Sequence, residues 1–310
     1  MRFERGELFI IVLLTAVAAA CAGLVVVKQA HVDYPAFASA IFVDALFLAI
    51  GQFYRLVRVD AKIASIATIV ALLMISGNLL KMLTFLLLPY QFPATDQALA
   101  AIDAHFGFVW ANYVVFMAGF PAFSALLKMV YLSCGWQIAV IVIALCIAGK
   151  TADAVKFMLA IIIGGVITIE VWTLFPSSTP AAFQNIPPNI AASLGLVVSP
   201  GQGEWLVQLS REGLKTLAPE YFVGVVGFPS YHTVLAVVSV VYAFKMRFIW
   251  LPFLALNTLM LPAILLHGSH NLVDVFGGLA VSAVSVWIAG KIADAKPASA
   301  DLRPNAVIQA

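Results

Sequence analysis

The chain has 310 residues, of which 63% are hydrophobic and 10% charged, with a mean hydropathy of +1.03. Such values exclude a soluble globular enzyme and require a polytopic membrane protein. The net charge of +2 carries no basic cluster, which excludes nucleic acid as a partner, and Cys21, Cys134 and Cys146 form neither a disulfide framework nor a zinc-binding pattern.

Taken in order, apolar runs long enough to span a bilayer fall at about 8–28, 35–54, 63–89, 121–148, 157–175, 230–246, 248–266 and 270–290. The first follows the charged start Met1-Arg2-Phe3-Glu4-Arg5 without a small-residue cleavage site, so it reads as a retained span and not a signal peptide. Between the third and fourth runs, residues 95–111 place Asp96, Asp103 and His105 among regularly spaced apolar residues, which predicts an amphipathic helix at the interface. Gly119-Phe120-Pro121 then breaks the helical pattern. The loop at about 176–228 is rich in proline, and Trp205, Leu206, Leu209, Leu214 and Leu217 predict an interfacial helix within it, suited to a lid over a lipid portal. Lys245-Met246-Arg247 makes a tight hairpin between the sixth and seventh runs, and the last 20 residues read as a disordered tail.

Alternate loops differ sharply in basic residues. With the N-terminus inside, the cytoplasmic segments hold Arg2, Arg5, Arg55, Arg58, Lys62, Lys150, Lys156, Lys245, Arg247, Lys291, Lys296 and Arg303, against Lys28, Arg211 and Lys215 outside. That bias predicts both termini in the cytoplasm. The end of the fifth span, the start of the sixth, the end of the seventh and the start of the eighth then share the extracytoplasmic face, in the setting of a bacterial inner membrane.

Two motifs meet on that face. Gly227-Phe228-Pro229-Ser230-Tyr231-His232 opens the sixth span, and His267-Gly268-Ser269-His270-Asn271-Leu272-Val273-Asp274 opens the eighth. A helix start presents unpaired N–H groups and the positive end of the dipole, an arrangement that holds an anion such as phosphate. His270 and Asp274 are four residues apart, so the carboxylate shares a helical face with the imidazole and can orient it. His232 supplies a second titrating group, and two histidines with one carboxylate suffice for phosphoryl transfer through a phosphohistidine.

Pro229-Ser230-Tyr231-His232 followed by His270-x-x-x-Asp274 resembles the second and third signatures of the type 2 phosphatidic acid phosphatase superfamily, which includes lipid phosphate phosphatases and vanadium haloperoxidases. The resemblance implies that His270 attacks phosphorus, Asp274 orients it and His232 protonates the leaving group. The family's first signature, a lysine followed by Arg-Pro, is absent upstream; the arginine expected before the nucleophile is Ile264, and Tyr231 replaces a common glycine. These departures resemble the inositol phosphorylceramide synthase-like branch, whose members move a phospho-headgroup between lipids. Leu174-Phe175-Pro176-Ser177-Ser178-Thr179-Pro180 is similar to that branch's Phe-Pro-x-x-Pro-Pro element, with Ala181 in place of its last proline, and Leu209-Ser210-Arg211-Glu212-Gly213 is similar to an arginine-containing element of bacterial relatives.

Lys81, Lys128 and Glu170 lie within apolar spans, where an ionisable group is costly and faces a partner or a wet cavity. Each sits roughly 9–12 Å below the outer boundary at 1.5 Å per residue. They either replace the missing phosphate-binding cations or form an ion-pair cluster that fixes packing. Asp44 reads as structural. Ser230 serves as a phosphate contact, a helix cap, or both. His267 reads as a pocket-facing or an interfacial histidine, and His31 and His105 carry no assigned role.

The expectation is therefore an all-α integral membrane enzyme of about eight transmembrane helices. Two additional N-terminal helices (1–60) precede a six-helix catalytic core (61–292) and a cytoplasmic tail (293–310). Its catalytic residues are His232, His270 and Asp274, and its substrate contacts are Ser230, Tyr231, Arg211, Lys81 and Lys128, with no metal or cofactor required. The partner is a membrane lipid carrying a phosphate or phospho-headgroup. The intermediate passes to water in a hydrolase, or to an alcohol such as inositol in a transferase. A transporter or flippase using the intramembrane charges, and an inactive scaffold on the same fold, are the rival readings.

Overall fold

The structure, a computed structural model, describes residues 5–294. The tail expected at 293–310 lies almost wholly outside the described residues. Thirteen α-helices dominate the described residues. Six of them are long and apolar enough to cross a membrane: α1 (Arg5–Lys28), α2 (Tyr34–Leu56), α3 (Ala61–Leu86), α8 (Thr151–Leu174), α12 (Trp250–His267) and α13 (Leu272–Asp294). Between α3 and α8 come α4 (Asp96–His105) and α5 (Trp110–Met117), bent by 67°, and α6 (Pro121–Leu132) and α7 (Cys134–Ile147), bent by 51°. The long loop contributes α9 (Pro188–Leu194) and α10 (Pro200–Glu212), and α11 (Tyr231–Ala243) follows it.

Local chemistry explains most helix starts. Asp33 caps α2 by accepting from the Ala36 N–H, Asp60 caps α3 through the Lys62 and Ile63 N–H groups, and Ser199 caps α10 ahead of Pro200. A cap of this kind contributes about 1 kcal/mol. The run expected as one span at 121–148 is instead two helices meeting at Ser133, whose hydroxyl donates to the Val130 carbonyl at 2.6 Å. The break lets α6 pack along α12 while α7 packs against α3, α8 and α11. The interfacial helix expected through Leu217 ends at Glu212, where Gly213 adopts φ +71, and Leu217 belongs to a short strand.

That strand, β2 (Thr216–Leu217), pairs in parallel with β1 (His31–Val32) in the connection between α1 and α2. Phe222 stacks on Phe85 with ring centroids 5.0 Å apart and tilts against Phe37 at 5.8 Å. The long loop is thus folded back over the ends of α1–α3. At the opposite end of α1, buried Glu7 forms a two-pronged pair with Arg55, both bonds 2.7 Å long.

Large apolar side chains point outward along the bundle, among them Val12, Ile41, Phe42, Trp136, Ile143 and Trp287. In water this surface would aggregate; in a bilayer it is the face that lipid covers. Inside, α13 lies along α8 and α11 packs against both. Small residues allow this approach: a Cβ at Gly278 would fall 2.6 Å from the Ser230 carbonyl oxygen and 2.6 Å from the Thr233 Cβ. Close backbone contact through small residues is what holds helices together where lipid removes the hydrophobic drive.

Candidate active site

Three segments distant in sequence are stitched into one turn-rich cluster at the shared end of α8, α11, α12 and α13. The Phe228 N–H donates to the Ser177 hydroxyl at 2.7 Å, the Thr179 hydroxyl donates to the Ser269 carbonyl at 2.8 Å, and the Ser230 N–H donates to the Asp274 carbonyl at 2.9 Å. Gly227 admits no side chain, because a Cβ there would collide with the Ser178 carbonyl oxygen. Ser269, next to the histidine, has φ +48, a strained value for a residue with a Cβ. Its carbonyl and hydroxyl both bond to the 179–181 turn, which holds the strain in place.

His270 and His232 converge. Their ring centroids lie 6.4 Å apart with planes inclined at 65°. His270 Nδ1 is 3.1 Å from Asp274 Oδ2, and that same oxygen accepts the Asn271 N–H at 2.9 Å. With the carboxylate accepting, Nδ1 carries the proton and Nε2 keeps its lone pair. His232 lies on the Tyr131 ring, centroids 4.6 Å apart and planes inclined at 26°.

Both histidines line the head of a cavity of about 540 Å³. Much of the rest of its wall is apolar, from Leu73 and Leu80 of α3, Ile138 of α7, Ile161 of α8 and Leu235 of α11, with Ser76, Thr84 and Thr168 among them. The stretch of α3 along it, Leu73 to Phe85, is about 18 Å long at 1.5 Å per residue. Val198, Leu206 and the 222–226 stretch of the long loop form the remaining side.

The other predicted residues are divided by the structure. Tyr231 lines the cavity and donates its hydroxyl to the Ile161 carbonyl at 3.0 Å. Lys81 lines the cavity and is the one Lys or Arg that does so among the described residues. Ser230 is fully buried and caps α11 through the Thr233 N–H, away from the cavity lining. Lys128 donates to the Gly195 carbonyl at 2.8 Å, and Arg211 is exposed at the end of α10; neither lines the cavity. No ion pair joins Lys81, Lys128 and Glu170 among the described residues, and Glu170 is exposed, so of the two readings the ion-pair cluster does not form. His267 is wholly buried, with Nε2 2.9 Å from the Ser124 carbonyl oxygen, so it is not a cavity group.

The two helix starts differ in which of their N–H groups are already paired. At α13 the Leu272 and Val273 N–H groups donate to the Asp103 carboxylate at 2.6 and 2.8 Å, and Asn271 donates to Asp274. At α11 the Tyr231 and His232 N–H groups have no acceptor among the described residues. Asp103 and Asp96 were legible only as polar residues on a short helix. Their spacing with Leu99 places all three on one buried face of α4, while Ile102 and Phe106 face out, so the helix turns its acids toward the protein. Asp96 accepts the Ser178 N–H at 2.7 Å.

A family model of the PAP2 superfamily matches residues 97–288, the stretch that contains α4 through most of α13. The chain belongs to the PAP2 superfamily. No curated protein and no solved structure matches it. Membership puts the chain in a superfamily of phosphatase and phosphotransferase type, and the long apolar helices make it a membrane protein. Helices α1–α3 precede the matched stretch, although α3 supplies one wall of the cavity.

Proposed function

We propose that this PAP2 superfamily protein is an integral membrane lipid-phosphate phosphatase or phosphotransferase that works through a phosphohistidine at His270. The observation that carries the reading is the pair of imidazoles with ring centroids 6.4 Å apart, one of them backed by Asp274. His232 takes up the proton of the bound phosphate monoester; His270 Nε2 then attacks phosphorus in line, a P–N bond forms, and the P–O bond to the lipid alcohol breaks as His232 gives that oxygen the proton. The imidazolium that develops is balanced by Asp274. His232, now neutral, then takes a proton from water or from an alcohol acceptor, whose oxygen attacks phosphorus and releases His270.

Charge on the equatorial oxygens is stabilised by the free N–H groups at the start of α11 and by Lys81, the cation that lines the cavity. The apolar part of the cavity wall suits the hydrocarbon part of a lipid. The distribution of Lys and Arg supports an active site on the extracytoplasmic face, with cytoplasmic termini. Arg211, exposed near that face, suits attraction of anionic headgroups.

The transferase version has its own support. Ile264 is fully buried in an apolar cluster, so the position of the family's arginine supplies no charge to the site. Tyr231 fills space beside His232 that a glycine would leave to water. The relay version of a transporter loses its basis, since Lys81, Lys128 and Glu170 are not linked by ion pairs among the described residues. The deciding experiment incubates the purified protein with a labelled long-chain lipid phosphate, with and without inositol. Free phosphate whatever the acceptor identifies a hydrolase, a labelled phosphoinositol product identifies a transferase, and no turnover of either kind overturns the enzyme reading.

A further inference from the structure

The amino-terminal end of α13, immediately after His270, is where a phosphate would be expected to sit. That position is already filled by a side chain from another helix. Asp103 of α4 is 2% exposed, and each of its carboxylate oxygens accepts one N–H of the first turn of α13, at 2.6 and 2.8 Å. Hydrogen bonds to an ionised acceptor are the stronger kind, and the positive end of the helix dipole favours the charge there.

The helix that carries Asp103 is itself pinned to the site. The Thr95 N–H donates to the Pro176 carbonyl at 2.7 Å and Asp96 accepts from Ser178, so α4 holds both the 176–181 turn and the start of α13. His270 sits between these two anchored segments.

We propose that Asp103 is a positioning residue for the phosphoryl-transfer site. Its carboxylate occupies the start of α13 in place of the substrate phosphate, leaves the start of α11 as the anion seat, and fixes the turn from which His270 Nε2 aims at phosphorus. This rests on the reading of His270 as the nucleophile. A carboxylate at that point also repels a phosphate that binds off the line of attack.

The test compares the full chain in detergent with its Asp103→Ala and Asp103→Asn variants, in two arms. In the first, inorganic phosphate is titrated and the rise in Tm is followed. Removing the carboxylate frees two N–H groups, so Asp103→Ala binds phosphate at least fivefold more tightly than the parent. In the second, turnover of a lipid phosphate falls at least tenfold in kcat with KM changed less than twofold. A phosphate affinity equal to the parent's, or a parent-like kcat, overturns the proposal. Should the alanine variant not fold, Asp103→Asn, which retains one acceptor oxygen, must show the same kcat-against-KM split, and a parent-like kcat there overturns the proposal equally. A parent that turns over no lipid phosphate sinks the nucleophile reading, while the phosphate titration still decides what Asp103 does at the helix start.

Discussion

The ring centroids of His232 and His270 lie 6.4 Å apart, His232 on the first turn of α11 and His270 in the turn just before α13, where the two helices meet through Gly278. In the proposed mechanism one phosphorus sits between a ring nitrogen of each. The proposed mechanism gives the two histidines different jobs, so their substitutions should differ in kind. His270→Ala removes the attacking atom and should lower turnover on the order of 10⁴-fold or more with every substrate.

His232→Ala removes a proton donor, a loss of about 10² to 10⁴ for an alkoxide leaving group. A nitrophenyl phosphate leaves without needing that proton. The same variant should retain a much larger share of parental activity on a nitrophenyl phosphate than on a lipid phosphate. Equal losses on both substrates would remove His232 from the acid role.

Asp274→Asn keeps the shape of the side chain but offers an amide where a carboxylate accepted from His270 Nδ1 at 3.1 Å and from the Asn271 N–H. The imidazole loses its preferred tautomer and its counter-charge. A drop in kcat of about 10² to 10⁴ is expected by analogy with other His–Asp pairs, measured as steady-state turnover with KM nearly unchanged.

The cavity predicts a chain-length effect. Gly77 of α3 and Gly135 of α7 both line it, and a Cβ at either would meet nothing within 4 Å. Both positions therefore accept a first side-chain carbon, and Gly77→Leu and Gly135→Leu extend it to narrow the cavity. Catalytic efficiency on a long-chain lipid phosphate should fall about tenfold or more, the scale of one lost apolar contact. Activity on a short-chain, water-soluble phosphate ester should stay within twofold. Equal effects on both esters would show that the hydrocarbon chain lies elsewhere.

Burial, reinforced by the nearby Asp274 charge, pushes the Asp96 carboxyl up to about 6, even though the Ser178 N–H bond favours its ionised form. A carboxyl raised in the folded state binds more protons there than in the unfolded chain between about pH 4 and pH 6. Its contribution to stability is present at the acid end and lost as pH rises through that window. Asp96→Asn should flatten this part of the profile when Tm is measured in detergent from pH 4 to 7. An unchanged slope would assign the dependence to other groups.

Eight apolar runs are visible in the sequence because lipid demands about 20 apolar residues for each crossing, and six of them return as the single long helices α1, α2, α3, α8, α12 and α13. The break at Ser133 carries no such signal: no proline marks it, and it follows from where α6 and α7 find partners, including the Asn257–Gln137 bond of 2.8 Å. The meeting of His232 with His270 was legible because each opens a helix on the same side. Asp103 was not, since its partners are backbone groups 169 and 170 residues away. Hydropathy reports which residues avoid lipid, and it is silent on which N–H an inward carboxylate will choose. The charges at 81, 128 and 170 show the same limit, because shared depth does not imply a shared face.

The central claim is a covalent bond from phosphorus to His270. Mixing the protein with a phosphorus-labelled lipid phosphate, quenching in alkali within milliseconds and locating the label by mass spectrometry tests it directly. The account predicts an acid-labile phosphoryl group on the peptide carrying His270, absent from His270→Ala. Turnover with no labelled peptide, or with the label on another residue, would contradict it.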